Sequence, residues 1–304
     1  MSLSATELPS LKITFGPREA FTVGVPVLAG ERNEALFGST DSVGQHGDFL
    51  LFQTNGWLFG CASLPLTVGL EEASHRLYAN IFKASRGFHL ARIWNYVPAI
   101  NHAGPEGMEN YRLFCRGRSL AFEAHFGLNF NAQLPSASAV GCDADMLTVV
   151  FAACDAVPRH VENPLQVAAY DYPGDYGPRA PSFARASVVA GSDGATVFIS
   201  GTAAIRGHAS IAPESTRLQL ACTLENLQGI ATACGLGPGL GAGHGVARHF
   251  KVYVRHAEDQ PMVATILEEQ LLRDGDRVSY LRADICRSSL LVEIEASLFK
   301  AQLR

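Results

Sequence analysis

The sequence predicts an α+β fold, and three observations carry that prediction. Apolar residues make up 47% of the 304-residue chain and charged residues 17%, a composition that folds around a core and excludes a disordered protein. Short strand-like runs are interspersed with amphipathic helical stripes. The last third reads β-α-β-α-β-β, an order that suits an antiparallel or mixed sheet with two helices on one face. The length fits one large domain or two ordinary ones, and the second reading divides the chain into residues 1–160 and 161–304.

The elements follow in order. Residues 13–15 and 21–27 read as short strands, and 49–52 with 57–61 as a hairpin turning near Thr54-Asn55-Gly56. Residues 70–85 carry apolar side chains at 70, 73, 77, 78, 81 and 82, a helical stripe that Gly87 follows. Residues 92–97 form a strand that stops at Pro98, a second helix covers 108–125, and 146–153 is a buried strand. Between Asp155 and Pro181 five prolines and little periodicity mark a boundary or a functional loop. A strand at 195–200 precedes a helix capped by Ser215 and stopped by Gly235 and Gly237. A strand at 250–255, a third helix capped by Asp259 with Pro261 in its first turn, and strands at 278–285 and 290–296 complete the chain. Both halves run strands, helix, strand, helix, yet no residue-level repeat supports a duplication.

Charge and motifs narrow the function. With 24 basic and 29 acidic side chains the net charge is −5, the wrong sign for steering onto nucleic acid or an anionic membrane. No run approaches the roughly 20 apolar residues of a membrane helix, and Met1-Ser-Leu-Ser4 does not begin a secretory signal. Seven cysteines without CxxC spacing read as small buried side chains of a reduced, cytoplasmic protein. The glycine-rich run from Gly235 to Gly245 lies between a helix and a strand. A dinucleotide site needs the reverse order, so this run reads as a connection. The ten histidines, His244 and His249 among them, form no zinc pattern, so no metal is expected. No GxSxG elbow or Walker loop is present.

Three segments hold residue types with usable chemistry. Tyr170-Asp-Tyr-Pro-Gly-Asp-Tyr-Gly-Pro-Arg-Ala-Pro-Ser-Phe-Ala-Arg-Ala186 sets three tyrosines and two arginines on a stiffened loop. It is either an ordinary surface loop or a surface for anions and rings, since guanidinium forks match carboxylates. Tyr111-Arg-Leu-Phe-Cys-Arg-Gly-Arg118 places 111, 114, 115 and 118 on one helical face; by spacing alone its arginines read as solvated. In Asp284-Ile-Cys-Arg-Ser-Ser-Leu-Leu-Val-Glu-Ile-Glu295, alternation puts Glu293 and Glu295 on one sheet face. That face is either solvent or a site, and a carboxyl held against apolar walls makes a proton donor near neutral pH.

The last 125 residues or so resemble the reactive-intermediate deaminase family, whose fold small trimeric chorismate mutases share. The matching pieces are Ala180-Pro-Ser-Phe-Ala-Arg-Ala186, Val197-Phe-Ile-Ser-Gly-Thr202, Leu224-Glu-Asn-Leu227, Phe250-Lys-Val-Tyr-Val254 and Leu291-Val-Glu-Ile-Glu-Ala296. The chain as a whole is similar to the chorismatases, through Trp94-Asn-Tyr96, Tyr111-Arg-Leu-Phe-Cys115 with Gly117 and Arg118, and Tyr176-Gly-Pro-Arg-Ala-Pro-Ser-Phe-Ala-Arg185. Ser200-Gly-Thr-Ala203 with Gly207-His208, and Ala283-Asp-Ile-Cys-Arg287, continue it, while the first 60 residues match only loosely.

The resemblance implies two related chorismate mutase-like domains, each a mixed sheet with helices on one face. It implies cleavage of chorismate, with neither metal nor organic cofactor, to release pyruvate. Glu293 is then the acid that protonates the enol-ether methylene. Arg179 and Arg185, with Arg118 or Arg112, are the carboxylate-binding candidates; Tyr172 and Tyr176 flank the ring; and the Gly201-Thr202-Ala203 backbone lies beneath it. Subgroups differ in product. Cys286, seven residues before the acid, matches the group that forms 3-hydroxybenzoate, whereas Ala203 or Ala204 stands where that group tends to have Gly. The expectation is a hydroxybenzoate, of one or both isomers, rather than the dihydroxy-cyclohexadiene carboxylate of chorismate hydrolases. A deaminase-like enzyme acting on imines and a non-catalytic metabolite-binding protein are the alternatives. Nucleic acid and membrane are not expected partners, and the sequence leaves the oligomeric state open, monomer or small homo-oligomer.

Overall fold

Four layers stack as helices, sheet, sheet, helices, and the period-two alternation of the strands makes that stack possible. The structure, a computed structural model, describes residues 8–15, 19–35, 40–237, 239–243, 245–301 and 303, without the side chains of Glu19 and Glu106. Met1 to Ser4, and Pro238 and His244 within the glycine-rich run, lie outside the described residues.

The N-terminal strands are β1 (Ser10–Phe15), β2 (Glu19–Gly30), β3 (Asn33–Ala35), β4 (Asp41–His46), β5 (Phe49–Thr54) and β6 (Trp57–Pro65). Then come α1 (Leu70–Ala84), β7 (His89–Pro98), α2 (Asn110–Phe126), β8 (Ser136–Cys142) and β9 (Met146–Cys154). The remainder comprises β10 (Arg159–Val161), β11 (Ala186–Val189), β12 (Ala195–Ala203), β13 (Ile205–Arg206), β14 (Ala209–Ser210) and α3 (Thr216–Cys234). It closes with β15 (Ala247–Val254), α4 (Gln260–Gln270), β16 (Arg277–Arg282) and β17 (Val292–Ala301).

One sheet has the order β4-β5-β6-β9-β7-β8, and a nine-stranded sheet has β10-β11-β12-β17-β15-β16-β2-β1-β3. The first six strands of the larger sheet repeat the order of the smaller one, with a parallel pair at the same place in both, β7–β8 and β15–β16; a further parallel pair, β1–β3, lies at the far edge of the larger sheet. The two halves therefore share one topology, although residue-level similarity did not reveal it. Both sheets are mixed, as expected. Strands β2, β1 and β3 come from the start of the chain yet extend the sheet of the C-terminal half, where β2 pairs with β16 and covers its edge.

Alternation assigns the layers. On β9, Leu147, Val149, Phe151 and Ala153 pack with α1 and α2, while Val150, Ala152 and Cys154 face the other sheet. On β17, Val292, Ile294, Ala296 and Leu298 pack under α3 and α4, which leaves Glu293, Glu295 and Ser297 on the opposite, inner face. That inner face is buried and not solvated: Glu293 is 3% and Glu295 2% exposed. All seven cysteines are free thiols.

Local chemistry explains the elements. Asn55 (φ 43°) and Gly56 (φ 76°) form a two-residue turn joining Thr54 to Trp57, the geometry that a right-twisted hairpin favours. Ser215 Oγ accepts from the Leu218 N–H at 3.3 Å, and Gly235 ends α3 in the left-handed region (φ 83°). Asp259 differs from expectation: its side chain does not cap α4 but accepts from Thr216 Oγ1 at 2.5 Å, tying the two helices together. The second helix begins at Asn110, not 108, because a short turn at Pro105–Gly107 and a bridge between Ala103 and Glu109 occupy the residues before it. The strand expected over 278–285 stops at Arg282. The chain there leaves its sheet and crosses to the other half, where the Gly141 N–H donates to the Asp284 carbonyl at 2.7 Å. The last strand runs to Ala301, five residues past the expected end at 296.

Candidate active site

Strand β8 is the open edge of the smaller sheet, and the site is built where other segments close that edge. Ser200 Oγ accepts from the Ala137 N–H at 2.9 Å and donates to the Ala184 carbonyl at 2.6 Å. Ser187 Oγ accepts from the Ser136 N–H at 2.9 Å. These bonds draw β11, β12 and the long loop before them against β8. Between them opens a cavity of about 250 Å³ whose wall includes Tyr111, Arg112 and Arg118 from α2, Ser138 from β8 and Gly201 and Ala203 from β12. Tyr172, Tyr176 and Arg185 of the loop, Cys286 and Arg287 of the segment after β16, and Glu293 of β17 complete it.

Glu293 is the notable wall residue. The register of β12 against β17 slips between Ile199 and Thr202, so the Gly201 backbone lies against the carboxyl. A Cβ at position 201 would stand 2.1 Å from Glu293 Oε1, so any larger residue there must displace the carboxyl. Oε1 is buried without a hydrogen-bond partner in the protein. Burial, then the neighbouring charge of Glu295, pushes the Glu293 carboxyl up to about 8 against the pull of Arg92 and Arg185. A carboxyl in that state is a proton donor at neutral pH.

Four arginines reach the cavity: 112, 118, 185 and 287. Arg118 is 1% exposed, against the solvated reading that spacing favoured, and no ion pair among the described residues includes it. Its guanidinium lies 5.0 Å over the Phe114 ring, and its Nε has no hydrogen-bond partner. Arg116, two residues earlier, turns outward to pair with Glu71. Arg185 donates to Tyr172 Oη at 2.7 Å and has its nearest carboxylate, Glu162, at 4.0 Å. Arg287 stacks 4.0 Å over Tyr176 and is held by the His208 carbonyl at 2.8 Å. Arg112 is more open; it pairs with Glu109 at 3.6 Å and donates to the Asp175 carbonyl. The wall thus combines uncompensated positive charge, two phenol rings 5.3 Å apart and a neutral carboxyl. Cys286 lies on the same wall, its thiol pushed up to about 12 by burial and then by the Glu293 charge, so it stays uncharged.

Most of the residues expected at the site converge, but two do not. Arg179 pairs with Glu123 away from the cavity wall. Thr202 points off the wall and donates to the Ser200 carbonyl at 2.9 Å, because alternation on β12 turns Gly201 and Ala203 toward the cavity instead. Arg287 and Tyr111 were not picked out as site residues, although signals existed: Arg287 ends the Ala283-Asp-Ile-Cys-Arg287 motif, and Tyr111 shares a helix face with Arg118. Ser138 carried no sequence signal. Among the described residues no group of three His, Cys, Asp or Glu is arranged to hold a metal ion, and no helix is long and apolar enough to cross a membrane.

Comparison with known proteins meets this geometry. The family profile "Chorismatase FkbO/Hyg5-like, N-terminal" matches residues 36–153. A 3-hydroxybenzoate synthase of Streptomyces hygroscopicus is 41% identical over 270 residues, which cover 84% of this chain and 78% of that protein. A chorismatase of Streptomyces rapamycinicus is 38% identical over 261 residues, covering 83% and 77%. A crystal structure of a chorismatase matches with a TM-score of 0.77 at 30% identity, over 98% of this chain and 96% of that one. Identity of this degree over more than four fifths of the chain takes in parts of both halves, and the chain belongs to the chorismatase family.

Proposed function

We propose that the protein cleaves the enol ether of chorismate, releasing pyruvate and forming 3-hydroxybenzoate, alone or with the 4-isomer. The observation that carries this reading is the buried, unpartnered Glu293 carboxyl in a cavity lined by four arginines. Chorismate brings two carboxylates, for which Arg118, Arg185 and Arg287 are the buried or stacked donors, with Arg112 at the more open side. Tyr172 and Tyr176 flank the ring. Glu293 delivers its proton to the terminal methylene carbon, the side chain becomes an oxocarbenium ion, and the ring carbon–oxygen bond breaks with its electrons going to the departing pyruvate. The neighbouring ring hydroxyl attacks the carbon being vacated and gives up its proton, forming an arene oxide. One carbon–oxygen bond of that oxide then opens, and the carbon that keeps the oxygen loses its ring proton, which restores aromaticity; of the two protons released, one returns to Glu293 and the other to the phenol oxygen. No water is consumed. Incubation of the purified protein with chorismate, followed by chromatography, tests the reading: pyruvate with a hydroxybenzoate is expected, and an untouched substrate overturns it.

Product choice turns on water. A thiol is weakly hydrogen-bonding and largely apolar, so Cys286 can line the wall without holding a water in attacking position. Cys286→Ala opens space beside the ring and is expected to move product toward the dihydroxy-cyclohexadiene carboxylate while pyruvate release continues. An unchanged product ratio would reduce Cys286 to packing.

The glycine under the acid gives a separate expectation. Gly201→Ala drives its methyl into the Glu293 carboxyl and displaces it, which should lower kcat by about 10²-fold, the cost of roughly 1 Å of misplacement. Native kcat in a folded Gly201→Ala protein would show that the carboxyl need not rest there.

A further inference from the structure

Resting on the assignment of Glu293 as the acid, we propose that Glu295 is a positioning residue that holds the Arg92 guanidinium away from Glu293, so that Glu293 keeps its proton.

The two glutamates share a face of β17, roughly 7 Å apart by strand rise, and their surroundings are opposite. Glu295 accepts from Arg92 Nη2 at 2.8 Å and from Trp94 Nε1 at 2.9 Å. It also pairs at 2.6 Å with Lys251, directly across on β15. Lys251 is shared with Glu34 of β3, likewise at 2.6 Å. Two carboxylates and two cations, each no more than 2% exposed, make a closed neutral set. Burial alone would raise the Glu295 carboxyl, but Lys251, Arg92 and their hydrogen bonds outweigh it and hold it below the usual range.

Glu293 lies outside this set. Arg92 uses only Nη2, for Glu295 and for Ser138 Oγ at 2.9 Å, and its Nη1 is buried without a hydrogen-bond partner. Ser138 itself lines the cavity with Glu293. One edge of the Arg92 guanidinium and one oxygen of the Glu293 carboxyl are therefore unused and do not bond to each other. The charged groups that act on Glu293 come from three separate elements. Glu295 of β17 favours the acid; Arg92 of β7 and Arg185 of the long loop favour the carboxylate. Tyr253 of β15 and Cys286 after β16 face it as neutral groups, both pushed up by burial. Without the Glu295 charge, Arg92 would be a buried cation lacking a carboxylate, and Glu293 would ionise to meet it. Stability alone does not call for such a set, since well-packed apolar residues stabilise a core at least as well.

The test is the pH at which activity is lost on the alkaline side, read with the infrared carboxylic-acid band that disappears in Glu293→Gln. The native protein should lose pyruvate release as pH rises through about 8. Glu295→Gln should move that loss down by about one pH unit or more, with activity recovering in mild acid. Arg92→Met should move it up, and the double variant should return it toward the native position. A purely structural role would lower activity at every pH without moving the limb. Should Glu295→Gln not fold, Arg92→Met still decides, because an unmoved limb there overturns the proposal. The infrared band needs no substrate. Its shift in a protein that leaves chorismate untouched would uphold this inference and overturn the functional reading, whereas turnover with an unmoved band does the reverse.

Discussion

Glu293→Gln is expected to fold and to lose pyruvate release by about 10²–10⁴-fold, the usual cost of a missing proton donor. The amide has the shape of the acid, fits over Gly201 and still interrupts no ion pair among the described residues, so the defect falls on the chemical step. The same variant carries a stability signature of fixed sign. The native carboxyl is raised from 4.5 to about 8, so its contribution to folding is fully present below about 4.5 and is lost as pH rises toward 8. The amide does not titrate, and Glu293→Gln should therefore melt progressively higher than the native protein as pH is raised from 5 to 8 by about three units. Thermal melts across that range, beside single-turnover rates, check both parts. Near-native turnover would remove Glu293 from the acid role, and melts that stay parallel at all pH would show that its carboxyl is not raised.

Arg118→Met is expected to raise thermal stability and to cost catalysis heavily. In the free protein its guanidinium is a buried charge without a carboxylate, and a side chain of similar length without the charge relieves that penalty. In the complex the relation inverts, because a substrate carboxylate would be left buried and unpaired. Truncating one partner of such a pair typically costs about 2–5 kcal/mol, which in kcat/KM is roughly 30-fold to a few thousand-fold. The opposite signs are what separate a substrate-binding arginine from a structural one: a variant that lost stability while keeping kcat/KM would make Arg118 part of the core. The strain of keeping this cation ready for an anion is a cost that stabilising substitutions would readily remove, at the expense of activity.

Local pattern accounts for what could be read in advance. Helix α1 is visible in its stripe from Leu70 to Phe82, the hairpin in Asn55-Gly56, the start of α3 in Ser215 and its end in Gly235. Each is decided by side chains within a few residues. Errors gathered where distant segments intervene: Asp259 turned to Thr216, 43 residues away, and the strand after Arg277 broke to meet Gly141. The shared topology of the halves showed in their element order and in the family resemblance but in no residue-level repeat, because layer order constrains which positions are apolar, not which apolar residue fills them.

By itself the sequence determined the fold class and, through the Val-Glu-Ile-Glu motif, the pair of carboxyls that includes the proposed acid. Alternation treats Glu293 and Glu295 alike, and only the tertiary structure parts them. Arg92 reaches Glu295 across 203 residues of chain, and Lys251 reaches Glu34 across 217. Those cations surround one glutamate and leave the other against Gly201 and a half-apolar cavity. Likewise Arg118 and Arg179 both stand in family motifs, yet folding buries the first in the wall and pairs the second with Glu123. The reason is general: strand and helix depend on short-range sterics and periodicity, whereas a carboxyl's proton affinity depends on desolvation and on charges whose positions no local pattern encodes.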